Sequence, residues 1–264
     1  MRRRKPVPDK ITLLANLIRS RKESGEPPYI LLLGSGAAVT LGNRAMRKIV
    51  EAIANGPDLE TFHTTLDNFS AVERQIILEK HFEESKPSPG HHQLAELIRA
   101  GYFDLVFSTN IDPFLENCLD TGGEETADFQ IIITDTQRTA ETIELLDSAY
   151  PPIKIVKLHG NVQSRSFAFT PSEISQFGSK SEEILRYYLK RDLIVMGPGQ
   201  RDYDLNRALA REGGSIWYVD QAPPPPDTSV SQAVGNRSTE MNIIIGEFGT
   251  FDRFFEALHR ELMD

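Results

Sequence analysis

The sequence predicts an α/β fold, a doubly wound, Rossmann-like parallel sheet with helices on both faces and a small helical insertion. Three observations predict it. Apolar runs of four or five residues recur along the chain, with the uniformity of strands buried on both faces. Segments with apolar residues at helical spacing separate most of those runs. A glycine turn, Gly34-Ser35-Gly36, follows the first run directly and opens toward a helix.

The elements follow in order. Ile11, Leu13, Leu14, Leu17 and Ile18 share one face of a helix over residues 9–22, with Asp9 as its N-cap. Gly25 to Pro28 breaks the chain before the first strand, Tyr29 to Leu33. Met46, Ile49, Val50 and Ile53 predict a helix from Arg44 to Asn55. Residues 58–100 lack a strand pattern and read as several helices, split at Pro87-Ser88-Pro89-Gly90, that form the insertion. Alternation resumes with a strand at Phe103 to Phe107 and a helix at Pro113 to Cys118. Further strands are predicted at Gln130 to Thr134, Ile153 to Lys157, Asp192 to Met196, Ser215 to Val219 and Asn242 to Ile245. Further helices are predicted at 172–190, 203–212 and 250–262. Pro223 to Pro226 cannot donate backbone hydrogen bonds and predicts a rigid surface loop. The polar stretch 227–240 reads as mobile. No repeat or shift of composition marks a second globular unit, so residues 1–264 read as one domain.

Composition limits the function. The 264 residues are 39% hydrophobic and 25% charged, with a net charge of −9. That balance argues against direct nucleic-acid binding, which needs clustered Lys and Arg; the short basic run Arg2 to Lys5 reads as a solvated tail. A single cysteine, Cys118, excludes an internal disulfide and a cysteine-based zinc site, and fits the reducing cytoplasm. Its helical spacing from Phe114 and Leu115 predicts packing rather than nucleophilic chemistry. No apolar run reaches the roughly 18 residues that span a bilayer, so no membrane partner is expected.

In sheets of this class, ligands collect outside the carboxyl ends of the strands, and the informative residues stand there. Gly34-Ser35-Gly36-Ala37 can bring backbone amides close to a phosphate, or can simply make a tight turn. No Lys-Ser or Lys-Thr follows, which excludes a phosphate loop of the ATPase kind. After the second strand come Thr109, Asn110 and Asp112. Asp112 before Pro113 suits an N-cap, whereas the Asn110 amide can point into the crevice. After the strand ending at Lys157 comes Leu158-His159-Gly160-Asn161; His159 suits proton transfer, or serves as a satisfied structural residue. The turn Gly197-Pro198-Gly199-Gln200-Arg201-Asp202 can meet a second phosphate or a ribose, and Asp220 after Val219 can accept from ribose hydroxyls or cap a turn. His63, His81, His91, His92 and His259 lack such context, and the His91-His92 pair lacks the further ligands a metal needs.

The order Gly34-Ser35-Gly36, Thr109-Asn110-Ile111-Asp112, Lys157-Leu158-His159-Gly160, Gly197 to Asp202 and Val219-Asp220 resembles the sirtuin-like family. It is most similar to the zinc-free branch that serves as effector domains in bacterial antiphage systems, often ahead of a signal-transduction NTPase of the STAND type. The resemblance spans residues 9–262. It implies NAD as substrate, hydrolysed to ADP-ribose and nicotinamide, as in abortive infection. It also implies no metal, because Cys118 alone cannot supply the four-cysteine zinc module of the deacylases. Asn110 would position the water or the ribose, Asp112 the carboxamide, and His159 would act on a ribose hydroxyl or the water. Gly34, Ser35, Gly36, Ala37, Thr109, Gly197, Pro198, Asp202 and Asp220 would hold the rest of the dinucleotide. The family context implies activation in a homo-oligomer or by an attached or partner sensor NTPase, and a longer protein or a separate partner beyond this domain. Ala38, Arg44 and Met46 stand where relatives have serine, proline and an aromatic. These departures favour an alternative, a regulatory module that binds NAD or ADP-ribose without hydrolysing it. Transfer of ADP-ribose to a macromolecule ranks third.

Overall fold

The computed structural model describes residues 8–34, 51–55, 59–120, 127–134, 139–199, 203–209 and 211–264. Nine strands are described: β1 (Ile30–Leu33), β2 (Leu105–Ser108), β3 (Phe129–Ile133), β4 (Ile153–Lys157), β5 (Gly160–Asn161), β6 (Ser166–Phe167), β7 (Leu193–Met196), β8 (Ile216–Val219) and β9 (Ile243–Ile244). Seven form one sheet in the order β3-β4-β2-β1-β7-β8-β9, and every neighbouring pair is parallel. The strands expected from apolar runs are therefore all present, within two residues at their ends. β5 and β6 make a separate antiparallel hairpin that the sequence reading did not anticipate.

The described helices are α1 (Asp9–Ser24), α2 (Leu59–Asp67), α3 (Ala71–Glu83), α4 (Pro89–Arg99), α5 (Phe114–Leu119), α6 (Thr139–Asp147), α7 (Pro171–Tyr188), α8 (Tyr203–Ala208), α9 (Ser229–Arg237) and α10 (Phe251–Met263). Residues 51–54 are also helical, while the rest of the helix expected from Arg44 lies outside the described residues. Pro8, not Asp9, occupies the cap of α1, and Asp9 sits in the first turn, where a carboxylate favours the positive end of the helix dipole.

Alternation along each strand sorts the core into two layers. Leu31, Leu33, Ile194, Met196, Trp217 and Val219 pack with α1, α4 and α10. Ile30, Leu32, Leu193, Val195, Ile216 and Tyr218 point the other way and pack with α7, α8 and α9. Thus α4, within the stretch read as an insertion, belongs to the layer that covers the sheet. A third cluster joins Phe62, Leu66, Leu78 and Phe82 of α2 and α3 to Phe114, Val162 and Phe169. Phe114 and Val162 follow β2 and β4, so this helical pair sits over the carboxyl ends of those strands.

Two helices depart from expectation. The stretch 227–240, read as mobile, contains α9. Its capping box pairs Thr228 with Ser231, each side chain bonded to the other residue's backbone N–H at 3.1 Å, and Val230, Ala233 and Val234 are buried on one face. α6 lies between β3 and β4, where no helix was expected, and its Ile143, Leu145 and Leu146 pack against the second layer. No helix among the described residues is long and apolar enough to cross a membrane.

Candidate functional site at the carboxyl edge of the sheet

The chain leaves β1 for β2 on one side of the sheet and later adds β7 on the other side of β1. That reversal opens a crevice at the carboxyl ends, the place where open α/β sheets take ligands. Gly34 ends β1 and donates its N–H to Met196 O at 2.9 Å. A Cβ at Gly34 would collide with the Gly197 carbonyl oxygen and stand 2.7 Å from Pro198 Cα, so the two turns touch backbone to backbone. Gly197 itself has φ 55°, the left-handed region that favours glycine. Ser35, Gly36, Ala37 and Asp202 lie outside the described residues, as do Ala38, Arg44 and Met46.

Thr109 continues β2 and donates its N–H to Leu33 O at 3.0 Å, which sets it beside Gly34. Thr109 Oγ1 and Asn110 Oδ1 are both buried and have no hydrogen-bond partner. Leaving such an atom unsatisfied costs about 1–3 kcal/mol, and a ligand or an ordered water at this edge would remove that cost for both. Asp112 is buried, with Oδ1 accepting from Phe114 N–H at 3.2 Å. Pro113, not Asp112, occupies the N-cap of α5; Asp112 stands one position ahead and braces the helix start through its bond from Phe114 N–H. Burial pushes the Asp112 carboxyl up from its ordinary range, and the Lys157 ammonium opposes that rise.

Leu158 N–H donates to Ser108 O at 2.8 Å, which brings the turn after β4 alongside the turn after β2. His159, 4% exposed, follows at once, and its carbonyl accepts from Ala168 N–H at 2.8 Å. Gly160 has φ 81°, and a Cβ there would strike Ser166 O and stand 2.6 Å from Phe167 Cα. The glycine behind the histidine is therefore what lets β6 close over it. Asp220 ends β8, farther along the edge. Its oxygens accept from Gln221 N–H at 2.6 Å and the Tyr218 hydroxyl at 3.2 Å, and burial raises its pKa. Both bonds suit a turn cap, and a carboxylate keeps further lone pairs that a ribose hydroxyl could use.

Sequence reasoning missed three polar residues below this surface. Lys157 Nζ forms a buried ion pair with Glu116 Oε1 at 2.9 Å and donates to Asp112 O at 2.7 Å. Asn161 Nδ2 donates to the same Glu116 oxygen at 3.3 Å. Lys157 and Asn161 flank His159 in the motif, so their places were visible; their common partner Glu116, one helix away in sequence, was not. A fourth, Asn206 of α8, donates to Gly199 O at 3.1 Å and leaves its buried Oδ1 without a partner.

His91 and Cys118 fit structural roles. His91 Nδ1 accepts from Ser88 N–H at 3.2 Å at the start of α4, and burial, then His92 and Lys157, lower its pKa to about 3. Cys118 is buried and its thiol is pushed up to about 11 by burial. Among the described residues, no group of three or more His, Cys, Asp or Glu could hold a metal ion.

A family model described as a SIR2-like domain matches residues 104–230. The matched stretch begins just before β2 and ends in α9, so it takes in Thr109, Asn110, Asp112, His159, Gly197 and Asp220. Gly34 lies ahead of it. Among solved structures, one described as showing the mechanism and regulation of Sir2 enzymes is 14% identical, with a TM-score of 0.48, covering 97% of this chain and 98% of that chain. A complex of a Sir2 homologue with NAD is 12% identical, with a TM-score of 0.48, covering 95% and 93%. A Sir2 homologue variant with ADP-ribose is 13% identical, with a TM-score of 0.45, covering 94% and 96%. No curated protein matches the sequence.

Proposed function

We propose that this domain binds NAD along the carboxyl edge of β1, β2, β4 and β7 and hydrolyses it to nicotinamide and ADP-ribose. The match to a SIR2-like domain suggests binding and use of NAD. The observation that carries the reading is the adjacent pair of buried, unpartnered atoms, Thr109 Oγ1 and Asn110 Oδ1, beside the turn that bears His159. Ribose hydroxyls, a carboxamide or an ordered water would satisfy them. The Gly34–Gly197 contact leaves that part of the crevice free of side chains, which suits close approach of a pyrophosphate to backbone.

In this reading the bond between the anomeric carbon and the nicotinamide nitrogen breaks, and its electron pair leaves with the ring, which departs neutral without a proton. Water adds to the anomeric carbon and gives its proton to His159. Asn110 orients the water or the ribose, Asp112 meets the carboxamide, and orientation in a dry site supplies most of the acceleration. Gly34 to Ala37, Thr109, Gly197, Pro198, Asp202 and Asp220 hold the remainder of the dinucleotide. The resemblance to zinc-free effectors, with one cysteine in the chain, supports a cytoplasmic antiphage role and activation by oligomerisation or a sensor NTPase.

The test is nicotinamide release from NAD by the purified protein, alone and concentrated, with His159→Ala and Asn110→Ala in parallel. Release that falls at least about 10²-fold in both variants is expected. Release that survives both substitutions would remove these residues from the chemistry. Tight NAD binding without release would favour the regulatory module.

A further inference from the structure

Lys157 and Glu116 are buried almost completely, their side chains 3% and 5% exposed, and they pair at 2.9 Å. A buried ion pair gains little over apolar residues of the same volume, because desolvation cancels much of the attraction. Its presence here therefore needs a reason other than stability. Its bonds supply one. Lys157 Nζ also donates to the backbone carbonyl of Asp112, and Glu116 Oε1 also accepts from Asn161 Nδ2. Asn161 Oδ1 in turn accepts from Gln163 N–H at 2.7 Å, and Val162 N–H donates to Ile111 O at 3.0 Å. Every one of these bonds joins or braces the segments that carry Asn110 to Asp112 and His159 to Asn161.

We propose that the Lys157–Glu116 pair is a positioning device that locks the loop after β2 to the turn after β4, fixing Asn110 and Asp112 relative to His159. Its catalytic consequence rests on the NAD-hydrolysing reading; the lock itself does not. Lys157 acts through the Asp112 backbone and Glu116 through Asn161. A single centre of charge thus serves both halves of the site, which two independent hydrogen bonds to water could not do. Among the described residues, Lys157 from β4 is the charged group that acts on the Asp112 carboxyl; it pairs with Glu116 from α5, and its charge also reaches His91 of α4. His91 lies 5.5 Å from Phe114, ring centre to ring centre.

Three variants of the full chain test the proposal: Lys157→Met, Glu116→Gln, and the double variant, which removes both charges and keeps an acceptor for Asn161. The readouts are thermal unfolding, nicotinamide release with kcat and KM separated, and, without ligand, NMR titration of the Asp112 carboxyl carbon and hydrogen exchange of the Val162 amide. Each single variant is expected to unfold at lower temperature, because it strands a buried charge. The double variant regains most of that loss, yet its kcat stays down about 10²-fold with KM less affected. The Asp112 carboxyl titrates at higher pH once Lys157 is gone. A double variant with wild-type kcat would overturn the positioning role. If the wild-type protein releases no nicotinamide, the NAD-hydrolysing reading fails by itself, and hydrogen exchange of the Val162 amide, which bonds to Ile111 O across the two segments, decides the lock. Exchange in the double variant as slow as in the wild type overturns it, and faster exchange sustains it.

Discussion

Gly34 owes its identity to a neighbour 163 positions away, Gly197, whose carbonyl fills the space a methyl group would need. Gly235, in α9, has nothing within 4 Å of its missing Cβ. The same substitution should therefore act in opposite directions. Gly34→Ala is expected to destabilise by about 1–3 kcal/mol, the cost of forcing overlap into a packed contact. Gly235→Ala is expected to stabilise by about 0.5–1 kcal/mol, since alanine loses less backbone freedom in a helix. Urea unfolding of both variants checks the pair, and equal effects would show that the Gly34 contact relaxes at no cost. At this scale the sequence announced residues whose type is unusual for their place: a glycine after an apolar run, a histidine after a strand. It did not announce Glu116, because a glutamate in a short amphipathic helix looks like a solvent-facing residue until the fold brings Lys157 to it.

Helix ends form the next scale, and α4 shows how an imidazole can serve as a capping group. His91 Nδ1 must stay unprotonated to accept from Ser88 N–H. Burial, with His92 and Lys157, lowers its pKa to about 3, whereas an unfolded chain takes up that proton near the ordinary histidine value of about 6.5. The folded state therefore binds fewer protons between these limits, and stability should fall as pH drops from about 6.5 towards 3. His91→Gln keeps a capping-box side chain at the same position and cannot titrate. Its unfolding free energy should decline less steeply than the wild type's across that window; parallel pH profiles would take His91 out of the acid response. Ser88-x-x-His91 was overlooked as a cap because histidine is outside the usual Glu or Gln at that position. α9 was overlooked for the opposite reason. Its Thr228-x-x-Ser231 box and Val230, Ala233, Val234 spacing were legible, but the prolines before it and the polar residues around it outweighed them. The β5–β6 hairpin gave almost no signal, since two-residue strands have no periodicity to read.

The sheet is the scale at which sequence was most informative. Five of the seven parallel strands, β1, β2, β4, β7 and β8, are buried throughout, the edge strands β3 and β9 only in part, and all seven appear within two residues of their expected ends. Parallel pairing also gathers every carboxyl end along one edge, so the candidate site draws on residues from Gly34 to Asp220 while no two neighbouring strands in the sheet share a loop. A ligand that spans such an edge should stabilise the molecule as a whole. NAD or ADP-ribose at about 100 times its dissociation constant is expected to add about 2.7 kcal/mol to the unfolding free energy. A thermal scan with and without each ligand checks this, and an unfolding temperature indifferent to both would count against dinucleotide binding at the edge. What the sequence withheld at this scale was order: the strands' spatial arrangement, with β4 between β3 and β2, depends on how α6 and α7 pack rather than on any local pattern.

The backbone seam between Gly34 and Gly197 joins the two flanks of the sheet at the mouth of the crevice. Neither turn can advance toward the other, because there is no compressible side chain between them to yield. On the proposed reading, a phosphate drawn to Gly34 would meet a backbone that Gly197 supports from behind, so a substitution at either glycine would be felt at both.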